Sequence, residues 1–367
     1  MKNPLLAISL AAGLAAGLLS TFPAHAGDVT LYGIVDAGIG YNAVKRGDKT
    51  QSHVRSISGV ESGPRIGMRG VETLGDGARA VFKLEGGFSA NDGRSAQGGR
   101  LFGRAAWVGL ESDHAGGLYF GRQNNSAFEY LDGFDPFGAG YGMAGNDTVF
   151  SFVRADNMIV YKTAKAGGWS ARAGYSFNVS NTDRAPQFQT HGNDRLGTLA
   201  VVYENGPFRA LGLYDEYRLG TNSASRADKI RAGVLAGSYA FEAVQAYVAV
   251  GRTHGGWISG KDIDGTLMQA RERLRGTLRQ AGFSATSSML GISMPFGAGR
   301  LLSSWQRAKP NNASLTGGRH AMNIYAIGYR YELSARTSLY SYAALSDNYA
   351  FNKVQDRALG VGMRHAF

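Results

Sequence analysis

The chain has 367 residues, with 39 Lys and Arg against 28 Asp and Glu, for a formal net charge of +11. It holds no cysteine, which excludes a disulfide framework and thiolate chemistry. Its 53 glycines, 8 prolines, 18 tyrosines and 18 phenylalanines follow no collagen period, so they suit many strands and turns rather than a helical core.

Residues 1–26 carry one cation at Lys2, an apolar run from Leu5 to Leu19, and small residues at Ala24 and Ala26. This is the pattern of a secretory signal peptide cleaved after Ala26, leaving 27–367 as one domain outside the cytoplasm. The apolar run is shorter than the ~20 residues of a spanning helix, and no stretch of 18 apolar residues follows it. A soluble periplasmic protein and an outer-membrane barrel remain.

Alternating segments then recur along the chain. "DVTLYGIVDAGIGY" sets Leu31, Val35, Ile39 and Tyr41 on one face against Thr30, Tyr32, Asp36, Gly38 and Gly40 on the other. The same period of two runs through "ARAVFKLEGGF", "NIYAIGYRYEL" and the closing "ALGVGMRHAF". One face of each strand suits hydrocarbon and the other tolerates water. The pattern predicts sixteen strands, near 28–41, 59–72, 78–88, 100–111, 117–122, 157–163, 169–177, 195–204, 207–219, 229–238, 241–252, 282–293, 300–309, 320–332, 337–346 and 356–367. The turn at Tyr239 to Phe241 is the least marked.

Connections alternate between short turns, such as "TLGDG", "KAGG" and "ENGP", and long polar stretches at 42–58, 88–99, 122–156, 178–194, 253–280, 310–319 and 347–355. Short turns on one rim and long loops on the other describe an all-β, 16-stranded antiparallel transmembrane barrel. An even count puts both ends on the short-turn rim. The last strand must then pair with the first to remove both free edges, which makes the final residues structural and places Phe367 in the aromatic girdle.

The longest connection, 122–156, is rich in glycine and aromatics and carries the acids Glu129, Asp132, Asp135 and Asp147. A long loop in a compact fold is usually functional. Parity places Arg65, Arg69, Lys83, Arg104 and Arg172 on the lumen face, because a cation facing lipid near the midplane costs ~2–4 kcal/mol. Acids on the loop facing cations on the wall would set a transverse field across the narrowest point. Asp36 also faces the lumen, where a wall arginine is its expected partner.

"VTLYGIVDAG", "SGPRIGMRGVETLGDGARAVFKLEGGF", "RLFGRAAWVGL", "YFGRQ", "FDPFG" and the terminal "VGMRHAF", taken in order, resemble the general porins of Gram-negative bacteria, particularly the betaproteobacterial type. The resemblance covers essentially all of 27–367. It implies a homotrimer of outer-membrane barrels whose third long loop folds into each lumen, passing small hydrophilic solutes by diffusion without catalysis or cofactor. It also implies that the C-terminal strand is read by the insertion machinery, with His365 standing where that strand often carries an apolar or aromatic residue.

Competing signals are weaker. "GYGMAG" has the G-x-G-x-x-G spacing but no βαβ unit around it, and "GWISGKD" has Asp262 where a phosphate loop needs Ser or Thr. No His or carboxylate cluster has metal-ligand spacing, and the histidines fall on loops, turns and the barrel foot, which argues against an outer-membrane hydrolase. "DGTLMQARERLRGTLRQAG" suggests a helical turn or two within a loop, with Leu267, Leu274 and Leu278 on one side. The cations are dispersed, which argues against nucleic acid. Removing Lys2 with the leader takes the net charge from +11 to +10, so the lumen is expected to be weakly anion-selective. Outer-membrane lipid and lipopolysaccharide compete for the loop cations. A channel specific for a sugar or organic anion is the alternative function.

Overall fold

The computed structural model describes residues 27–146, 148, 153–179, 193–218, 220, 229–259, 276–313, 316–349, 351 and 353–367. The leader, Asp147, Leu267 and Leu274 lie outside the described residues.

The strands are β1 (Asp28–Arg46), β2 (Lys49–Ser58), β3 (Arg65–Gly75), β4 (Ala78–Gly87), β5 (Ala105–Ser112), β6 (Gly116–Asn124), β7 (Arg154–Lys162), β8 (Trp169–Ser176) and β9 (Arg195–Asn205). They continue as β10 (Phe208–Arg218), β11 (Lys229–Phe241), β12 (Val244–Ser259), β13 (Gly276–Phe296), β14 (Gly299–Pro310), β15 (Met322–Glu332), β16 (Thr337–Tyr349) and β17 (Val354–Ala366). All pair antiparallel with their neighbours. Both β2 and β3 pair with β1, β2 opposite Ala37–Arg46 and β3 opposite Asp28–Ile34, so together they fill one wall position. The wall is therefore sixteen strands around.

Closure comes from β1 against β17, in register from Ile34↔Ala366 to Arg46↔Val354. At the foot, Gly33 and Phe367 exchange two backbone hydrogen bonds of 3.1 Å each. Glycine is required there, since a Cβ on residue 33 would lie 2.3 Å from the Phe367 ring. The sheet thus has no free edge.

Side-chain alternation divides inside from outside. Leu31 (60% exposed), Val361 (55%) and Leu359 (50%) point outward, while their neighbours Tyr32, Gly360 and Ala358 point into the barrel. A water-soluble protein would not present such rows of bare aliphatic side chains; a lipid-facing barrel does.

The expected strand positions match the observed ones closely, with four departures. The stretch 42–58, expected as a loop, is the continuation of β1 and its return in β2. Residues 59–64, expected inside the second strand, break it and turn into the lumen, with Val60 buried. The turn expected at Tyr239 to Phe241 falls one step later, because β11 runs through Phe241 and Glu242 takes the left-handed conformation (φ 47°). No glycine or asparagine marks it. Finally, β12 and β13 extend above the membrane as a hairpin pairing Gly256↔Arg279 to Ser259↔Gly276, so Leu278 sits on a strand, not the expected helical turn.

Candidate pore constriction

The connection from β6 to β7 leaves the wall, crosses the lumen and returns. Its first turn is a short helix, α1 (Ser126–Tyr130), capped by Asn125, whose Oδ1 accepts from the N–H groups of Phe128 and Val153, both at 3.1 Å. The Asn125 amide donates to Asp215 on β10 at 2.7 Å, which fixes the base of the loop to the wall. Leu131 and Phe134 are buried against Val202, Leu211 and Val234 on β9 to β11. Burying these apolar groups is what holds the chain inside a water-filled barrel.

The "FDPFG" segment makes the turn at the far side. Asp135 accepts backbone N–H bonds from Phe137 and Ala139 at 2.9 Å and from Asn146 at 2.6 Å, tying the two arms of the tip together. Pro136 and Phe137 reach the opposite wall only because residues 291 and 328 are glycine; a Cβ there would lie 2.6 and 2.7 Å from them. Gln306 on β14 donates to the carbonyl of Ala144 at 2.8 Å, and the Tyr141 ring stands edge-on to Tyr340 and Tyr342 on β16.

The inturned segment 59–64 meets this tip. Tyr141 N–H donates to the Val60 carbonyl at 2.5 Å. Fully buried Asp36 on β1 accepts from Val60 N–H (3.2 Å), Ser62 N–H (2.7 Å) and the Tyr340 hydroxyl (2.6 Å). Asp36 therefore does not pair with a wall arginine, contrary to expectation; its partners are two amides and a phenol. It holds the strand break, the far wall and, through Val60, the loop tip in one cluster.

Of the four expected loop acids, the structure places one at an opening. Asp132 is exposed to the lumen and lines a recess of about 260 Å³ together with Arg65, Arg104, Arg154, Glu61 and Phe128. The protein around it pushes its carboxyl up to about 6, reinforced by Glu129 and Asp135 and opposed by the Gly133 N–H. Glu129 instead pairs with Lys162 on β7 at 3.1 Å; burial raises its carboxyl, but Lys162 and Arg172 more than offset this and hold it below the usual range. Asp135 is buried in the turn just described. Asp147 lies outside the described residues.

The wall cations divide similarly. Arg65 bonds only the Gly63 carbonyl (3.1 Å) and has no ion pair among the described residues. Arg69 and Lys83 sit side by side on β3 and β4, each 5.8 Å from the centre of the Tyr32 ring. Arg104, just before β5, and Lys83 both pair with Glu85, at 2.6 and 3.3 Å, and Tyr32 donates to the same carboxylate at 2.7 Å. Arg172 departs from expectation. It is 1% exposed and donates to the Ser126 hydroxyl at 3.1 Å and the Asn124 carbonyl at 2.5 Å, so it pins the loop base and does not face the pore.

Three site residues escaped the sequence reading. Arg154 opens β7, with its guanidinium 4.2 Å over the Phe128 ring. Asp156 pairs with Arg100 at 2.7 Å and Arg122 at 2.5 Å, and Glu61 with Arg330 at 2.9 Å. Extending the lumen parity of β7 back by three residues finds Arg154 and Asp156. Glu61 carries no such signal, because it lies on the strand break.

The family model of the Gram-negative porins matches residues 7–350. An outer membrane porin protein of Bordetella pertussis is 40% identical over 393 aligned residues, covering all of both chains, and outer membrane porin protein 32 of Delftia acidovorans is 29% identical over 400, again covering both. Among solved structures, the anion-selective porin from Comamonas acidovorans superposes with a TM-score of 0.72 at 25% identity, over 93% of this chain and all of that one. A closed sixteen-strand wall, a lipid-facing outer surface, a loop laid across the lumen and likeness along the whole length converge: the chain belongs to the Gram-negative porin family and resides in the outer membrane.

Proposed function

We propose that this porin passes small hydrophilic solutes by diffusion with a preference for anions, and that the recess between loop and wall is where the preference is set. The observation that carries it is the charge balance of the lumen lining. Arg65, Arg69 and Arg154 have no ion pair among the described residues, whereas Asp132 is the one described loop acid open to the lumen. Fixed cations along a low-dielectric wall raise the local anion concentration and exclude cations. The name of the Comamonas relative, an anion-selective porin, points the same way. Arg65, Arg104 and Arg154 act as the selecting cations, and Glu85, Asp156 and Glu61 hold their neighbours in place. The barrel works as a trimer, inserted by recognition of the terminal strand ending in Phe367.

Reversal potentials across a planar bilayer in a KCl gradient test the reading. The wild-type channel should favour chloride, and a double Arg65→Gln, Arg154→Gln variant should move the potential toward zero at unchanged assembly. An unmoved potential with normal conductance would place selectivity elsewhere.

A further inference from the structure

We infer that the outer surface of β15, β16, β17 and β1 carries a specific site for an anionic lipid of the outer leaflet, with a phosphorylated headgroup at the rim and an acyl chain below it. Two separate cavities make this surface unlike the rest of the wall. One, of about 630 Å³, lies at the long-loop rim and is lined by Lys45, Lys353, His320, Asn323, Asn348 and Asp347. The other, of about 520 Å³, lies on the lipid face, with Trp305, Tyr325 and Leu345 as walls and Ser303 and Ala343 among its lining.

The strand register stacks them. Asn323 pairs with Asp347 in the rim cavity, and two residues along the same strands Tyr325 pairs with Leu345 in the apolar one. Leu345 is in turn beside Arg357, an outward-facing exposed cation on β17. A guanidinium outside the barrel is tolerated only at headgroup height, so this row marks the membrane boundary. The polar cavity therefore sits at the headgroups and the apolar one within the hydrocarbon.

The rim cavity is also preformed. Asn348 donates to the His320 carbonyl at 2.8 Å and accepts from Lys353 N–H at 2.8 Å, which pins the turn between β16 and β17 to the approach of β15. Lys45, Lys353 and Arg357 outnumber Asp347, so the charge suits phosphate. This inference rests on the outer-membrane placement but not on the pore's selectivity.

Native mass spectrometry in mild detergent, titrated with bisphosphorylated hexa-acyl lipid A, tests it, with phosphatidylcholine and inorganic phosphate as separate probes. The wild type should retain lipid A far more tightly than phosphatidylcholine, and phosphate alone at millimolar concentration should not displace it. A Lys45→Ser, Lys353→Ser variant should bind about tenfold more weakly, as expected for two cations near an anionic headgroup. Ala343→Trp, or Ser303→Leu if that variant does not fold, should lose the lipid with the cations intact. Equal binding of both lipids, displacement by phosphate alone, or unchanged lipid A binding by the filled-groove variants would overturn the proposal. Loss of the oligomer in those variants with lipid A still bound would show that a second copy of the chain occupies the groove. Conductance should be normal throughout; a wild type that binds lipid A but does not conduct would count against the pore and leave this site standing.

Discussion

Replacing Asp36 with Ala should loosen the loop tip without opening the barrel. The carboxylate receives three hydrogen bonds, two from donors in buried surroundings, Val60 N–H and the Tyr340 hydroxyl, and one from Ser62 N–H, which is less buried. Bonds to a charged acceptor contribute ~1.5–3 kcal/mol each, and lumen water can satisfy the Ser62 donor once the carboxylate is gone. The two buried donors alone therefore put the local loss at about 3 kcal/mol. At 1.4 kcal/mol per decade, detachment of segment 59–64, and with it the Tyr141 contact, becomes on the order of a hundredfold more frequent. The β1–β17 ladder does not involve the side chain, so trimers and heat resistance should persist. Tyr340→Phe removes one bond and should give a smaller effect of the same sign. Single-channel recordings read the result as larger mean conductance with added current noise, and limited proteolysis reads it as new cleavage near 137–146. A quiet Asp36→Ala channel of wild-type conductance, with the loop still protected, would show that the cluster does not hold the tip.

Because the Asp132 carboxyl is pushed up to about 6, lowering pH from 8 to 5 removes its negative charge beside the recess arginines, so anion preference should rise on acidification. One charge acting over ~10 Å of water is worth ~0.4 kcal/mol, or about a twofold change in the permeability ratio, and Asp132→Asn should show the low-pH value at every pH. Phe367→Ala removes the ring that covers Gly33 and should leave protease-sensitive, unassembled chain in the periplasm; wild-type levels of folded protein would refute the role given to closure. Arg172→Ala should strip two bonds from the base of the loop and raise current noise with little change in reversal potential, whereas a large shift in selectivity would mean that this guanidinium faces the pore after all.

The strands were legible because lipid imposes one rule on every membrane-spanning residue: outward apolar, inward unrestricted. Leu359, Val361 and Met363 announce their strand for that reason. Above the membrane both faces meet water and the rule lapses, which is why β2, with its polar "KTQSHVRSIS", reads as a loop. The strand break was signalled by Gly59, Gly63 and Pro64, but the flanking alternation hid it. Inside the lumen, residue type and parity locate a charge but not its partner. Asp36 and Tyr340 are 304 residues apart, and nothing local distinguishes buried Asp135 from open Asp132 three residues earlier.

That difference in partners changes the kind of field the pore carries. Four loop acids facing five wall cations would make a transverse dipole, strong across the opening and nearly neutral in sum. In the structure Asp135 is engaged with its own backbone, Glu129 with Lys162, and Arg172 with the loop base, so both ends of that dipole are depleted. Wall acids are engaged as well: Glu85 holds Arg104 and Lys83, and Asp156 holds Arg100 and Arg122. What remains is uncompensated positive charge at Arg65, Arg69 and Arg154, with Asp132 as its partial counterweight. Such a patch attracts anions more than it orients dipoles, and its reach is limited by the ~10 Å screening length at 0.1 M salt, so selectivity should fade as ionic strength rises. The formal charge of +11 is a poor guide to this, because the cations that matter are the few whose carboxylates the fold has placed elsewhere.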